Sequence, residues 1–111
     1  MDDPPIDVST VVHGDHLTVK VSGEIDTFTA QVLADEFHTA YTAAKPGQVV
    51  VDLAGVDFCD AAGARELTSL ADVVAAQGGT FQLRQVHPQI VWLLDQLGVG
   101  YLRSCPSSPG P

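Results

Sequence analysis

Basic residues are scarce in this chain: five Lys and Arg stand against fourteen Asp and Glu, for a net charge of −9. That balance excludes a nucleic-acid phosphate backbone as the ligand. No basic cluster or basic amphipathic helix appears, so an anionic membrane surface is excluded too. Cysteine occurs twice, at Cys59 and Cys105, 46 positions apart and without a CxxC spacing. Neither a zinc site nor a thioredoxin-type motif is encoded, and the expectation in a reducing cytosol is two free thiols. A redox bridge between Cys59 and Cys105 is the alternative, because Cys59 abuts the central turn and Cys105 lies in a tail able to reach it. No apolar run approaches the length of a membrane span. The opening MDDPPID is acidic and Pro-rich, so it is neither a signal nor a transit peptide, and a cytoplasmic protein is expected.

Catalytic signatures are missing as well. The chain has no GxSxG, no HExxH, no P-loop and no GxGxxG after a strand, so no enzyme activity, cofactor or metal is expected. A phosphoacceptor receiver domain would need an acidic pair after its first strand and a lysine after a late one. Gly23-Glu24-Ile25-Asp26 spaces its acids differently, and the late strand ends Leu83-Arg84-Gln85.

What is present is a globular composition, 45% hydrophobic and 17% charged over 111 residues, enough for one core and one domain. Residues 1–6 read as a flexible lead-in, 7–103 as the domain and 104–111 as a flexible tail. Val8, Thr10 and Val12 alternate with polar neighbours as a half-exposed strand. Leu17, Val19 and Val21 follow as a second, paired through the turn His13-Gly14-Asp15. Asp26 or Thr27 caps a helix with the stripe Leu33, Phe37, Ala40, Tyr41 and Ala44, which Lys45-Pro46-Gly47 stops. Val49-Val50-Val51 opens a strand expected to be buried on both faces, running Gln48–Leu53 and followed by a loop to Asp60. A helix with Leu67, Leu70, Ala71 and Val74 inward ends at Gly78-Gly79. Thr80–Arg84 is the next strand. Pro88 opens the last helix, with Ile90, Leu93, Leu94 and Leu97 as its apolar face, and Val99–Leu102 is a final extended piece. The order β-β-α-β-α-β-α specifies an α/β domain around a small mixed sheet of four to five strands.

Both Asp26 and Asp60 fall at strand-to-helix turns, which a parallel sheet gathers along one edge. Asp60-Ala61-Ala62-Gly63 lies where a helix start presents unpaired N–H groups, suited to an anion or to a partner's acceptors. Phe58 is expected in the core. Trp92 falls off the stripe of the last helix, at the core edge or as an exposed anchor. His38 and His87 are expected at the surface.

Three blocks together resemble the STAS family of bacterial anti-sigma-factor antagonists. Gly23-Glu24-Ile25-Asp26 resembles the family's Gly-Glu-Leu-Asp. Asp52 through Gly63, DLAGVDFCDAAG, is similar to its Asp-Leu-Ser-x-Val-x-Phe-x-Asp-Ser-Ser-Gly signature, and Pro88 through Val99 to its closing helix. The resemblance implies a STAS-like fold and a module that docks on an anti-sigma factor, usually a GHKL-type serine kinase, to free a sigma factor. It assigns partner binding to Glu24, Asp26, Asp60, Ala61, Ala62, Gly63 and Arg65. In regulated members the kinase phosphorylates the first serine of Asp-Ser-Ser-Gly, and the added charge ends docking. Here that phosphoacceptor position is Ala61 and the next serine is Ala62, so the hydroxyl is lost. Thr68 and Ser69 lie two turns into the helix and are poor substitutes, and Thr27 and Thr29, near the other turn, are unsupported by any motif. Two readings follow: an antagonist that stays docking-competent, or a STAS adaptor for another partner, such as an ABC-type lipid-transport or sensory complex.

Overall fold

A computed structural model describes residues 6–103. Strand β1 (Ile6–His13) turns through Gly14-Asp15 into β2 (His16–Ile25), with His13 paired to His16. Gly14 has φ +63, the left-handed value that the first central position of a type II′ hairpin turn requires. Ile6 is 2% exposed and pairs with Gly23, which corrects its placement in a flexible lead-in: burying the apolar side chain extends the strand to it. Residues 1–5 lie outside the described part of the chain.

Helix α1 (Thr29–Ala44) follows, then β3 (Gln48–Cys59), α2 (Ala61–Ala76), β4 (Thr80–Arg84), α3 (Pro88–Gln96) and a 3-10 turn (Gly100–Arg103). The sheet order is β1-β2-β3-β4, antiparallel at the hairpin and parallel thereafter. Two cross-strand rows, Leu17-Val49-Phe81 and Val19-Val51-Leu83, are at most 5% exposed and face the helices. With Leu33, Phe37, Leu67, Leu70 and Val74 they make one core. Each fully buried Leu or Phe there contributes roughly 2 kcal/mol of transfer free energy. Tyr41 stacks on Phe37 at a ring separation of 5.3 Å and remains half-exposed, as do Ala40 and Ala44.

The alternate rows, Thr18-Val50-Gln82 and Lys20-Asp52-Arg84, are half-exposed or exposed. Val50 is therefore not enclosed, and β3 is fully buried on one face only. Three apolar residues in a row do not distinguish these cases, because the second face depends on what packs over it.

The largest difference from expectation lies in β3, which runs on to Cys59 instead of yielding to a loop at Leu53. Its pairing with β2 shifts twice, between Lys20 and Ser22 and between Gly23 and Glu24, each time with one extra residue on β3. The buried side chains follow: Val49, Val51 and Leu53 at spacing two, then Val56 and Cys59 at spacing three. Each bulge resets which face a side chain meets. Phe58 is thereby turned outward and is 46% exposed, not in the core. The carbonyls near the bulges find partners at the start of α3: Ala54 C=O accepts from Nε2 of the N-cap His87 at 3.0 Å, and Asp57 C=O from Gln89 Nε2 at 3.3 Å. That bond fixes the proton on Nε2, and His87 is a half-buried strut between elements, not a free surface side chain.

Two further corrections concern the end of the domain. Leu97 is 43% exposed because α3 has already ended, leaving it at the C-cap. The piece expected to be extended is a 3-10 turn that drops Leu102 into the core at 2% exposure. Trp92 is 63% exposed, which settles its two alternatives in favour of the surface; His38 is also exposed.

Candidate functional site

The ends of β2 and β3 lie side by side. Ile25 pairs with Cys59, and Asp60 N–H donates to the Ile25 carbonyl at 3.1 Å. The two acidic turns expected to gather at one sheet edge are thus joined by a backbone hydrogen bond.

At the first turn, Asp26 Oδ1 accepts from Phe28 N–H and Thr29 N–H, both at 2.9 Å. Thr29 Oγ1 accepts from Asp26 N–H at 2.8 Å and donates to the Glu24 carbonyl at 2.7 Å. This is a capping box with Thr in the returning position, so Asp26 caps although the helix proper begins three residues later. The Thr29 N–H bond is the largest of several that hold the Asp26 carboxyl below its ordinary 3.8. Thr29 is 3% exposed with its hydroxyl spoken for, which removes it as a modification site.

At the second turn, Asp60 is extended and its Oδ1 accepts from Gly63 N–H at 2.9 Å, capping α2. The helix start expected to welcome an anion therefore already holds a carboxylate of its own, and a second negative group there would be repelled. Ala61 and Ala62 lie half-exposed on its first turn. Gly63 is different from its neighbours. It is buried, and a Cβ there would lie 2.6 Å from Ile25 O, 2.7 Å from Ile25 Cγ2 and 3.0 Å from Cys59 Sγ. It is a packing glycine that lets α2 approach β2, not a side a partner can touch. Cys59 is 8% exposed, and burial first, then the neighbouring Asp60 charge, pushes its thiol up to about 12. At neutral pH it is a protonated, enclosed thiol and a poor nucleophile. Cys105, the other half of the redox alternative, lies outside the described residues.

Two exposed aromatics flank these turns, Phe28, which the sequence pattern did not single out, and Phe58, which it placed in the core. Phe28 is 84% exposed between Asp26 and α1, and Phe58 precedes the Cys59-Asp60 corner. The available signal for Phe28 was its place outside the Leu33-Phe37 stripe. For Phe58 none existed, since parity through two bulges is a tertiary outcome. Between the first turns of α1 and α2 runs a groove of about 380 Å³ lined by Thr27, Ala30, Gln31, Ala62, Arg65 and Glu66, with Ser69 at its end. Arg65 is exposed, and the one ion pair among the described residues, Arg103 with Asp95 at 4.0 Å, does not involve it. Thr68 Oγ1 donates back to the Ala64 carbonyl at 2.9 Å. Glu24 is exposed beside the first turn.

Chemically, the Asp26 and Asp60 carboxylates are each engaged by their own helix start, and among the described residues no three His, Cys, Asp or Glu are placed to hold a metal. Beside the exposed Glu24, the Phe28 and Phe58 rings, the Ala61 and Ala62 methyls and an Arg65 guanidinium without an ion pair among the described residues face outward, a composition suited to a protein contact. The family model described as "Mlab, STAS domain" matches residues 8–104. The chain belongs to the STAS family.

Solved structures agree on the fold. An anti-sigma factor antagonist from Mycobacterium paratuberculosis superposes with a TM-score of 0.78 at 24% identity, over 94% of this chain and 88% of that one. The anti-sigma factor antagonist SpoIIAA in its unphosphorylated form gives 0.75 at 15% identity, over 88% and 84%. The phosphorylated form of SpoIIAA, a Bacillus cell fate determinant, gives 0.66 at 16% identity, over 88% and 87%. Among curated proteins, none matches. No helix of the described residues is long and apolar enough to cross a membrane.

Proposed function

We propose that this STAS domain is a cytoplasmic anti-sigma-factor antagonist that acts by binding, docking on an anti-sigma factor or GHKL-type serine kinase and so releasing a sigma factor. The observation that carries the reading is the joined pair of turns: Asp60 N–H on the Ile25 carbonyl sets Phe28, Phe58, Ala61, Ala62 and Arg65 on one end of the sheet. Glu24, Asp26 and Asp60 shape that end, and Gly63 holds it together from beneath. With Ala61 at the family's phosphoacceptor position, no kinase can place a charge there. The domain remains docking-competent and is controlled through its supply or its partner.

Capture of an anti-sigma factor, measured by calorimetry, tests this. Phe28→Ala removes an exposed ring and is expected to change stability by less than about 0.5 kcal/mol while weakening capture tenfold or more, as a central aromatic anchor does. Ala61→Glu sets a second negative charge beside the Asp60 carboxylate on the half-exposed first turn of α2, and is expected to abolish capture while the circular dichroism spectrum of the fold is retained. Capture unchanged by both variants refutes the docking surface.

The second reading, a STAS adaptor in another assembly such as an ABC-type lipid transporter or a sensory complex, is favoured by one finding: the matching family model bears the description Mlab. Affinity purification from the native cell distinguishes the two. An anti-sigma factor co-purifying supports the first, and transporter or sensor subunits support the second.

A further inference from the structure

We propose that the free edge of β1 is a self-association surface on which a second copy of this chain pairs antiparallel, joining two four-stranded sheets into one. Strand β1 is one of the two edge strands, eight residues long against five in β4, and pairs with β2 without a bulge. Its sequence, IDVSTVVH, holds no Lys, Pro or Gly to blunt the edge, while Val11 and Val12 are 55% and 52% exposed. A flat, β-branched edge without such features is a template for another strand.

Register follows from the hairpin. His13 and His16 flank the two-residue turn and close it, so backbone bonds to β2 fall at His13, Val11, Ser9 and Asp7. The N–H and C=O groups of Val8, Thr10 and Val12 consequently point away from β2. A two-fold axis through Thr10 pairs Thr10 with Thr10 and Val8 with Val12 of the second copy, making about six new backbone hydrogen bonds. The same register sets Asp7 of each copy directly opposite His13 of the other, a carboxylate facing an imidazole N–H donor on both sides of the axis. A slip of two residues sets Asp7 against Val11 instead, losing both contacts. The carboxylate and imidazole of the strand are therefore complementary to those of a second copy in one register. The surface is separate from the Asp26 and Asp60 turns, and the inference does not rest on the docking proposal.

Sedimentation velocity on the full chain, over a concentration series reaching the millimolar range, reads the outcome. Wild type is expected to pass from monomer to dimer mass. Thr10→Pro removes an outward N–H that β2 does not use, and is expected to stay monomeric with its far-ultraviolet circular dichroism retained. His13→Asp places like charges together and is expected to raise the dimer Kd about fivefold, with Asp7→Lys in the same chain restoring it. The charge-swap pair decides the matter should Thr10→Pro lose the folded spectrum. A wild type that stays monomeric throughout, or a dimer indifferent to the charge swap, overturns the proposal.

Discussion

Replacing Gly63 by Ala adds one methyl group where α2 crosses the end of β2, and its effect follows from measured distances. The new Cβ would lie 2.6 Å from the Ile25 carbonyl oxygen and 2.7 Å from Ile25 Cγ2. The carbonyl cannot give way freely, because it accepts from Asp60 N–H at 3.1 Å, the bond that joins the two turns. The helix cannot back off freely either, because Asp60 Oδ1 caps it through Gly63 N–H itself. Overpacking of this sort costs about 1–3 kcal/mol, and the lower end applies only where flexible side chains absorb the strain. Helix propensity acts in the other direction by at most about 1 kcal/mol. The net expectation is a destabilisation of about 2 kcal/mol, a fall in Tm of roughly 8 °C for a chain of this size. Thermal unfolding followed by circular dichroism measures it. Cys59→Ala in the same chain clears only the contact at 3.0 Å and is expected to recover less than half of the loss, since the backbone obstacle remains. A Gly63→Ala variant as stable as wild type, or more so, would show that α2 does not approach Ile25 this closely. The reasoning about the joined turns would fail with it. A larger side chain here, such as Gly63→Trp, is expected to unfold the domain, so it cannot serve as a docking probe.

Two other measurements bear on the same corner. Asp26→Asn keeps the acceptor and removes the charge; because hydrogen bonds hold the wild-type carboxyl below 3.8, its charged form stabilises the fold at neutral pH. That advantage over Asp26→Asn is expected to be complete above the unfolded-state pKa and to vanish as pH falls through the lower folded value, read by urea denaturation at neutral and acid pH. Cys59, with its thiol pushed up to about 12, is expected to resist iodoacetamide in the native state at pH 8 and to react at once in denaturant. Its linkage has the opposite sense: the stability it contributes is whole below the unfolded thiol pKa and declines as pH rises toward the folded one. Rapid native-state alkylation of Cys59 would refute its burial.

Much of the architecture was legible because local signals agreed with one another. Leu17, Val19 and Val21 alternate, Gly14 sits where a hairpin needs positive φ, and Pro88 opens a helix whose Ile90 and Leu94 are buried. The first helix cap was narrowed to Asp26 or Thr27 from residue type and position, the structure choosing Asp26, and the sheet edge on which Asp26 and Asp60 meet follows from parallel topology. Phe58 and Val50 were misplaced for related reasons. Period-two alternation tells which residues share a face only while pairing stays in step, and nothing in DLAGVDFCD announces the two extra residues that β3 accommodates. Ile6 and Leu102 became core because neighbours distant in sequence cover them.

The amino-acid sequence by itself determined the order of elements, the caps, the STAS signature and the loss of a hydroxyl at Ala61, since each is a property of a residue and its near neighbours. Only the tertiary structure decided that Gly63 is a spacer beneath the surface, that Phe28 and Phe58 stand out of it, and that the carbonyls of Ala54 and Asp57 are held by the start of α3. Those outcomes depend on which backbone passes within contact distance of which other, and that distance is set by the packing of the whole sheet against its helices.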